Sequence, residues 1–319
     1  MSIPQSASQP AQGDRGTFAP SEKAIRALLH EIAPGSEPLT VETLPGSYSN
    51  FTHVVDARSR DGASFRIVVR RYQVFGSYDR GEKARREFKA FELVRQHGIP
   101  APEPLYLDEA GAVLGIPGIV TTYVPGSQVE SPSDPTSWAR ALAAMLARIH
   151  AVPCDAAARQ FLLDANSEAS WFLRSATVPD YMRAHPDGEA VWAAARDLWP
   201  SLHPVRPTLV HIDYWPGNIL WHRGQIAAVV DWEEAAYGDP GIDVAYCRME
   251  MILSGMAHVA DEFLRAYESE RGQPVANRAF WELAAAARPM FSPEGWITES
   301  PAAEAFRRFV ADARGRAGY

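Results

Sequence analysis

Apolar and polar positions change period along this chain, and each change marks an element. After Ser21, Ile25, Leu28, Leu29 and Ile32 recur at helical spacing until Pro34-Gly35 ends the run. The stretches "LTVETL", "FTHVVDA" and "FRIVVRRY" then read as short strands. Their separators are "PGSYSN" and "RSRDGAS", the latter with an Asp61-Gly62 hairpin signal, so an antiparallel meander is predicted. "DRGEKARREFKAFELVRQHG" predicts an amphipathic helix with Phe88, Phe91, Leu93 and Val94 as its buried stripe and Gly98 as its stop. Two further strands are expected at Leu105–Leu107 and Gly118–Val124.

At Pro125-Gly126 the pattern becomes mostly helical. "DPTSWARALAAMLARIHAV" predicts a helix capped by Asp134 with Pro135 in its first turn. One segment interrupts the helices, "LVHIDYWPGNILWHRGQIAAVVDWEEAAYGDPGID" from Leu209 to Asp243, which predicts a hairpin turning near Arg223-Gly224. The expected plan is α+β: a polar tail over 1–18, a sheet-plus-helix lobe over 19–124, and a larger helical lobe over 125–319.

Composition narrows the function classes. The 319 residues are 46% hydrophobic and 22% charged, enough for two sizeable cores. No apolar run reaches the length of a membrane span, so no membrane partner is expected. A net charge of −8 argues against nucleic acid as a partner. Two distant cysteines, Cys154 and Cys247, make no disulfide framework, so a cytoplasmic location is the expectation. Monomer and homodimer both remain open.

His211, Asp213, Asn218 and Asp231 stand among apolar β-formers, where an unpaired carboxylate costs several kcal/mol. A metal ion or a reacting group would compensate. Phosphoryl transfer needs such a set: a carboxylate to orient a hydroxyl, oxygen ligands for Mg²⁺, and a cation for the non-transferred phosphates. Asn218 and Asp231 are suitable hard oxygen ligands. The hairpin would fold one back beside the other.

"HIDYWPGNILW" resembles the H-G-D-x-x-x-x-N-[IV]-L catalytic loop of the aminoglycoside phosphotransferase and choline kinase-like family, relatives of the protein kinases. "VVDWEEAAYGDPGIDVA" is similar to that family's I-D-W-E-x-A-x-x-G-D-P-x-x-D-L-A. The resemblance covers roughly residues 39–249. It implies a protein kinase-like bilobal fold and a transfer of the γ-phosphate of ATP or GTP, with Mg²⁺, to a hydroxyl of a small molecule. Asp213 would be the catalytic carboxylate, while Asn218 and Asp231 hold the metal. Gly46, Ser47, Ser49 and Asn50 would cover the phosphates. Arg70 stands where the family's relatives place a strand lysine, none of the three lysines falls on a predicted strand, and Glu87 matches the partner glutamate. Arg71 reads as an ordinary surface arginine at a strand end. Thr122 C=O and Val124 N–H would meet the purine. His211, Asp239 and Asp243 read as loop-holding residues, Asp239 and Asp243 through loop and helix capping, and Trp215 as facing the acceptor.

Trp281, Phe291 and Trp296 would suit an apolar acceptor such as a macrolide, and the acidic balance a cationic one such as an aminoglycoside. A nucleotide-binding pseudokinase is the alternative that the missing lysine raises. A protein kinase fits less well, because Ile212 replaces the arginine of H-R-D and only seven residues separate Asp231 from Asp239.

Overall fold

The computed structural model describes residues 19–44, 50–73, 79–129, 131–294, 296–298 and 300–319. The chain divides into two compact units, Met1–Pro125 and Gly126–Tyr319.

The first unit opens with α1 (Glu22–Ile32), whose first turn is capped by Ser21 Oγ accepting from Ala24 N–H at 3.2 Å. Five antiparallel strands follow: β1 (Glu37–Thr43), β2 (Asn50–Arg58), β3 (Ser64–Tyr72), β4 (Pro104–Asp108) and β5 (Gly118–Thr122), arranged β1-β2-β3-β5-β4. Val55 pairs with Ile67 and His53 with Val69, so period-two alternation puts these four on one face. Ile25, Leu28 and Leu29 of α1 are fully buried in one cluster with Val55, Ala57, Ile67 and Val69. Burying three such side chains stabilises by roughly 5–9 kcal/mol at most.

The opposite face carries Val68 and Arg70, and there Arg70 meets α2 (Arg80–Gln96). The buried side of α2 differs from the predicted stripe. Ala84, Glu87, Ala90, Phe91 and Val94 are buried together with Lys83 and Arg86, whereas Phe88 and Leu93 are only half-buried. Glu87 must reach Arg70 and Tyr72, and that ionic contact sets the rotation of the helix. β5 also ends earlier than predicted, at Thr122, leaving Val124 outside the strand beside Pro125, which disfavours helix and offers no N–H to a ladder.

The second unit contains α3 (Pro135–Ile149), capped by Asp134 through Ser137 N–H at 3.0 Å. Then come β6 (Leu163–Asp164), α4 (Ala165–Ala169), α5 (Asp180–Arg183), α6 (Gly188–Leu198), β7 (Thr208–Val210), β8 (Ile219–His222), β9 (Gln225–Val229) and β10 (Ala236–Gly238). Four helices close it: α7 (Gly241–Leu253), α8 (Ala257–Arg271), α9 (Arg278–Phe291) and α10 (Ser300–Arg316). Tyr246, Met249, Phe280, Trp281, Leu283, Phe306 and Phe309 of α7, α9 and α10 share its main core. β8 and β9 form a hairpin whose turn residues Arg223 and Gly224 both have positive φ, 50° and 76°, the two-residue turn that matches strand twist. A second small sheet, ordered β6-β10-β7, lies outside the sequence reading, its two- and three-residue strands being too short to show a period.

Candidate functional site

The loop after β7 is built around Asp243, in the first turn of α7 and completely buried. His211 N–H donates to Asp243 Oδ2 at 2.8 Å and Ile212 N–H to Oδ1 at 2.7 Å. His150 Nε2 lies 3.0 Å from Oδ2, and its Nδ1 lies 2.7 Å from the Tyr267 hydroxyl. The ring thus links the Asp243 carboxylate to the Tyr267 phenol. These bonds hold an unusual backbone: Ile212 has φ +71°, a left-handed conformation that a β-branched residue adopts only under constraint. Asp231 is left-handed too, at φ +67°. The His211 ring is buried 4.4 Å from Trp232 and directs Nε2 to Val230 C=O at 3.0 Å. Burial lowers its pKa, so the imidazole is neutral and donates.

Asp213 precedes a single 3₁₀ turn, Pro216–Asn218, which ends on Asn218. Asn218 Nδ2 donates to Asp213 C=O at 2.9 Å and to Asp213 Oδ2 at 2.8 Å. That orientation turns Asn218 Oδ1 away from the carboxylate. Val230 N–H donates to Asn218 C=O at 3.0 Å, so the hairpin brings the chain before Asp231 back to Asn218. Trp215 is folded over Gly217, where a Cβ would meet the indole at 2.3 Å, and it packs against the main core. Any larger residue at 217 would have to displace the indole.

Three residues beside Asp213 carry no motif in the sequence. Arg288 of α9 places Nη1 3.4 Å from Asp213 Oδ1 and donates from Nη2 to Ile212 C=O at 3.1 Å. Its guanidinium lies over the Tyr246 ring at 4.2 Å. Glu250, one turn along α7 from Tyr246, has its carboxyl pushed up to about 7, first by burial and then by the Asp213 charge. Arg288 and a Tyr246 hydrogen bond pull the other way. A small pocket beside Arg288 is lined by Ile212, Ile242, Tyr246, Trp281, Ala284 and Ala285. Trp281 is a core residue at its edge, buried rather than displayed, whereas Phe291 and Trp296 are partly exposed.

Asp239 ties the loop differently from simple helix capping. Its Oδ1 accepts from Gly241 N–H at 2.8 Å and Oδ2 from Asn277 Nδ2 at 2.9 Å, while the N-cap position itself is Pro240. The side chain therefore joins the start of α7 to the residue before α9.

In the first unit, Arg70 Nε lies 3.1 Å from Glu87 Oε2, and the Tyr72 hydroxyl also donates to Glu87. Arg71 is not the surface arginine the sequence suggests. It is buried on the opposite face, donates to Leu114 C=O at 3.2 Å, and lies over the Phe51 ring. His53 beside it is pushed down to about 4 by burial and by the Arg71 charge, and is neutral. Asn50 is buried at the start of β2 with Oδ1 accepting from Gln73 N–H at 3.3 Å. Thr122 N–H donates to Glu103 C=O at 2.9 Å and its hydroxyl accepts from Glu103 N–H. Val124 is half-buried. Gly46, Ser47 and Ser49 lie outside the described residues.

Residues 40–281 match the model of the phosphotransferase enzyme family, about three quarters of the chain. The chain belongs to that family. It is 25% identical over 273 residues to mouse acyl-CoA dehydrogenase family member 10, a match covering 81% of this chain but only 24% of that much longer protein. It is 27% identical over 233 residues to viomycin phosphotransferase of Streptomyces vinaceus, covering 69% of this chain and 76% of that one. Among solved structures, a thermostable mutant of aminoglycoside phosphotransferase APH(4)-Ia, in ternary complex with AMP-PNP and hygromycin B, superposes with a TM-score of 0.62. Identity there is 19%, with 93% of this chain and 99% of that chain covered. At that identity the likeness is one of fold.

Proposed function

We propose that this protein transfers the γ-phosphoryl group of ATP or GTP to a hydroxyl group of a small molecule. The observation that carries the reading is the Asp213 carboxylate, presented on a loop whose backbone is locked by Asp243 and whose Oδ2 is held by Asn218. Family membership supports the reaction class. A relative crystallised with AMP-PNP and hygromycin B supports a nucleotide and a hydroxylated acceptor as its two substrates.

In this reading the acceptor hydroxyl donates to Asp213. Its oxygen attacks the γ-phosphorus in line, the bond to the β,γ-bridging oxygen breaks, and Asp213 takes the proton. Fixing that hydroxyl is the main contribution of the loop. Arg70, oriented by Glu87 and Tyr72, would clamp the non-transferred phosphates through guanidinium hydrogen bonds. Thr122 and Val124 would offer backbone groups to the purine.

Mg²⁺ fits the residues present. Asn218 spends its N–H groups on Asp213 and has Oδ1 left for a hard cation, and Asp231 adds a carboxylate. Among the described residues no group of three His, Cys, Asp or Glu could hold a metal by itself. Phosphate oxygens and water would complete such a site. The ion would supply neutralisation of the phosphate charge.

A panel of aminoglycosides, macrolides, peptide antibiotics and small hydroxylated metabolites, screened for acceptor-dependent nucleotide consumption, tests the reading. With an acceptor in hand, Asp213→Asn should lower kcat by about 10³-fold or more and leave nucleotide affinity within twofold. Wild-type turnover in that variant removes Asp213 from the chemistry.

A further inference from the structure

We propose that Arg288 is a positioning residue for Asp213, clamping both the carboxylate and the strained peptide that precedes it. The inference rests on the phosphotransfer reading. Arg288 lies beyond residues 40–281, the span matched by the family model.

One planar group reaches two successive residues of the loop. Nη2 donates to Ile212 C=O at 3.1 Å, and Nη1 approaches Asp213 Oδ1 at 3.4 Å. The first is a full hydrogen bond; the second is long and acts mainly by charge. The other carboxylate oxygen, Oδ2, belongs to Asn218. The Tyr246 hydroxyl, on α7, is hydrogen-bonded to Asp213 as well; among the described residues Arg288 is the holder that comes from α9.

The clamp is itself held. Its guanidinium lies over the Tyr246 ring at 4.2 Å and has Glu234 at 3.9 Å as a second counter-charge. A lysine could not copy this, because one ammonium cannot bridge two acceptors in the same plane while stacking on a ring.

The Ile212 backbone gives the clamp its purpose. At φ +71° this residue would relax toward an ordinary conformation if released, and relaxation would swing the next residue, Asp213. Asp243 holds the N–H of Ile212, and Arg288 holds its C=O. Removing Arg288 frees one end of a strained unit immediately before the carboxylate that has to meet the acceptor. Misplacement of about 1 Å at such a group costs on the order of 10² in rate.

The test uses the full chain and an acceptor found in the panel above. Arg288→Met should lower kcat about 100-fold, with the nucleotide KM within twofold and the melting temperature nearly unchanged. Arg288→Lys should fold normally and lose about tenfold. In Arg288→Ala, added guanidinium ion at millimolar concentration should restore part of kcat saturably, which a purely structural loss would not allow. If Arg288→Met does not fold, Arg288→Lys and the guanidinium response of Arg288→Ala still decide. Wild-type kcat in Arg288→Lys and Arg288→Met, or no rescue of a folded Arg288→Ala, overturns the inference while phosphotransfer stands. A wild-type protein that phosphorylates no acceptor overturns the phosphotransfer reading and the inference with it.

Discussion

Asp243 and Glu282 are both fully buried in the helical unit, yet they are neutralised in opposite ways. Among the described residues Asp243 meets no arginine: its oxygens take two backbone N–H groups and the His150 ring. Glu282, on α9, is met by Arg248 at 3.2 Å, by Arg278 at 2.9 Å and by Arg316 Nε at 2.9 Å, from α7, α9 and α10. Backbone donors are part of the loop they belong to, so satisfying Asp243 also dictates φ and ψ around His211 and Ile212. Arginines sit on long stems, and they can neutralise Glu282 while the helices behind them adjust by fractions of an ångström. The first carboxylate fixes a conformation. The second joins helices.

Breaking the first should cost most. Asp243→Ala strands two buried N–H groups and the His150 ring, a loss of about 3–5 kcal/mol in urea unfolding, and kcat should fall by about 10² or more as the loop relaxes. A variant with normal kcat would show that the loop holds its shape without the carboxylate. Glu282→Gln should be milder, about 1–3 kcal/mol, because Arg278 and Arg316 are partly exposed and can turn to water. Its kcat should stay within a few-fold of wild type in the still-folded protein. A large fall in kcat at full folding would erase the contrast. Smallest is Ile212→Gly, where two terms oppose. Loss of a buried side chain costs about 2–4 kcal/mol and relief of the left-handed strain returns about 1–3, leaving a net loss near ~1 kcal/mol. A loss above ~3 kcal/mol in the same unfolding assay would mean that the backbone there stores no strain.

What the sequence discloses follows the range of the forces involved. His211 and Asp213 lie on the loop just before the β8–β9 hairpin, and Asn218 and Asp231 at its two ends, so short-range spacing makes the set legible, and the sheet meander follows from alternation and turn residues. Arg288 is another matter. It follows a run of alanines in an amphipathic helix, 75 residues from Asp213, and nothing in that local pattern distinguishes it from a solvated arginine. Tyr246 and Glu250 are hidden for the same reason. On α2, Phe88 and Leu93 outrank Glu87 by hydropathy, but a specific ion pair turns the helix toward Glu87. Arg71 shows the reverse error: its charge argues for the surface, while strand alternation and a carbonyl partner on Leu114 bury it. Long-range polar partners are what local patterns cannot supply.

The helix α1 has a consequence in time. Its apolar face is completed by Val55, Ile67 and Val69, then by Leu114 and Val120. At a synthesis rate of about 5–20 residues per second, the last of these emerges roughly 5–18 s after α1 itself. Ile25, Leu28 and Leu29 can meet the β2–β3 pair early in that interval, but their cover stays incomplete until β5 is made. During synthesis the cover over α1 is therefore built in two stages, and the second waits until β5 leaves the exit tunnel.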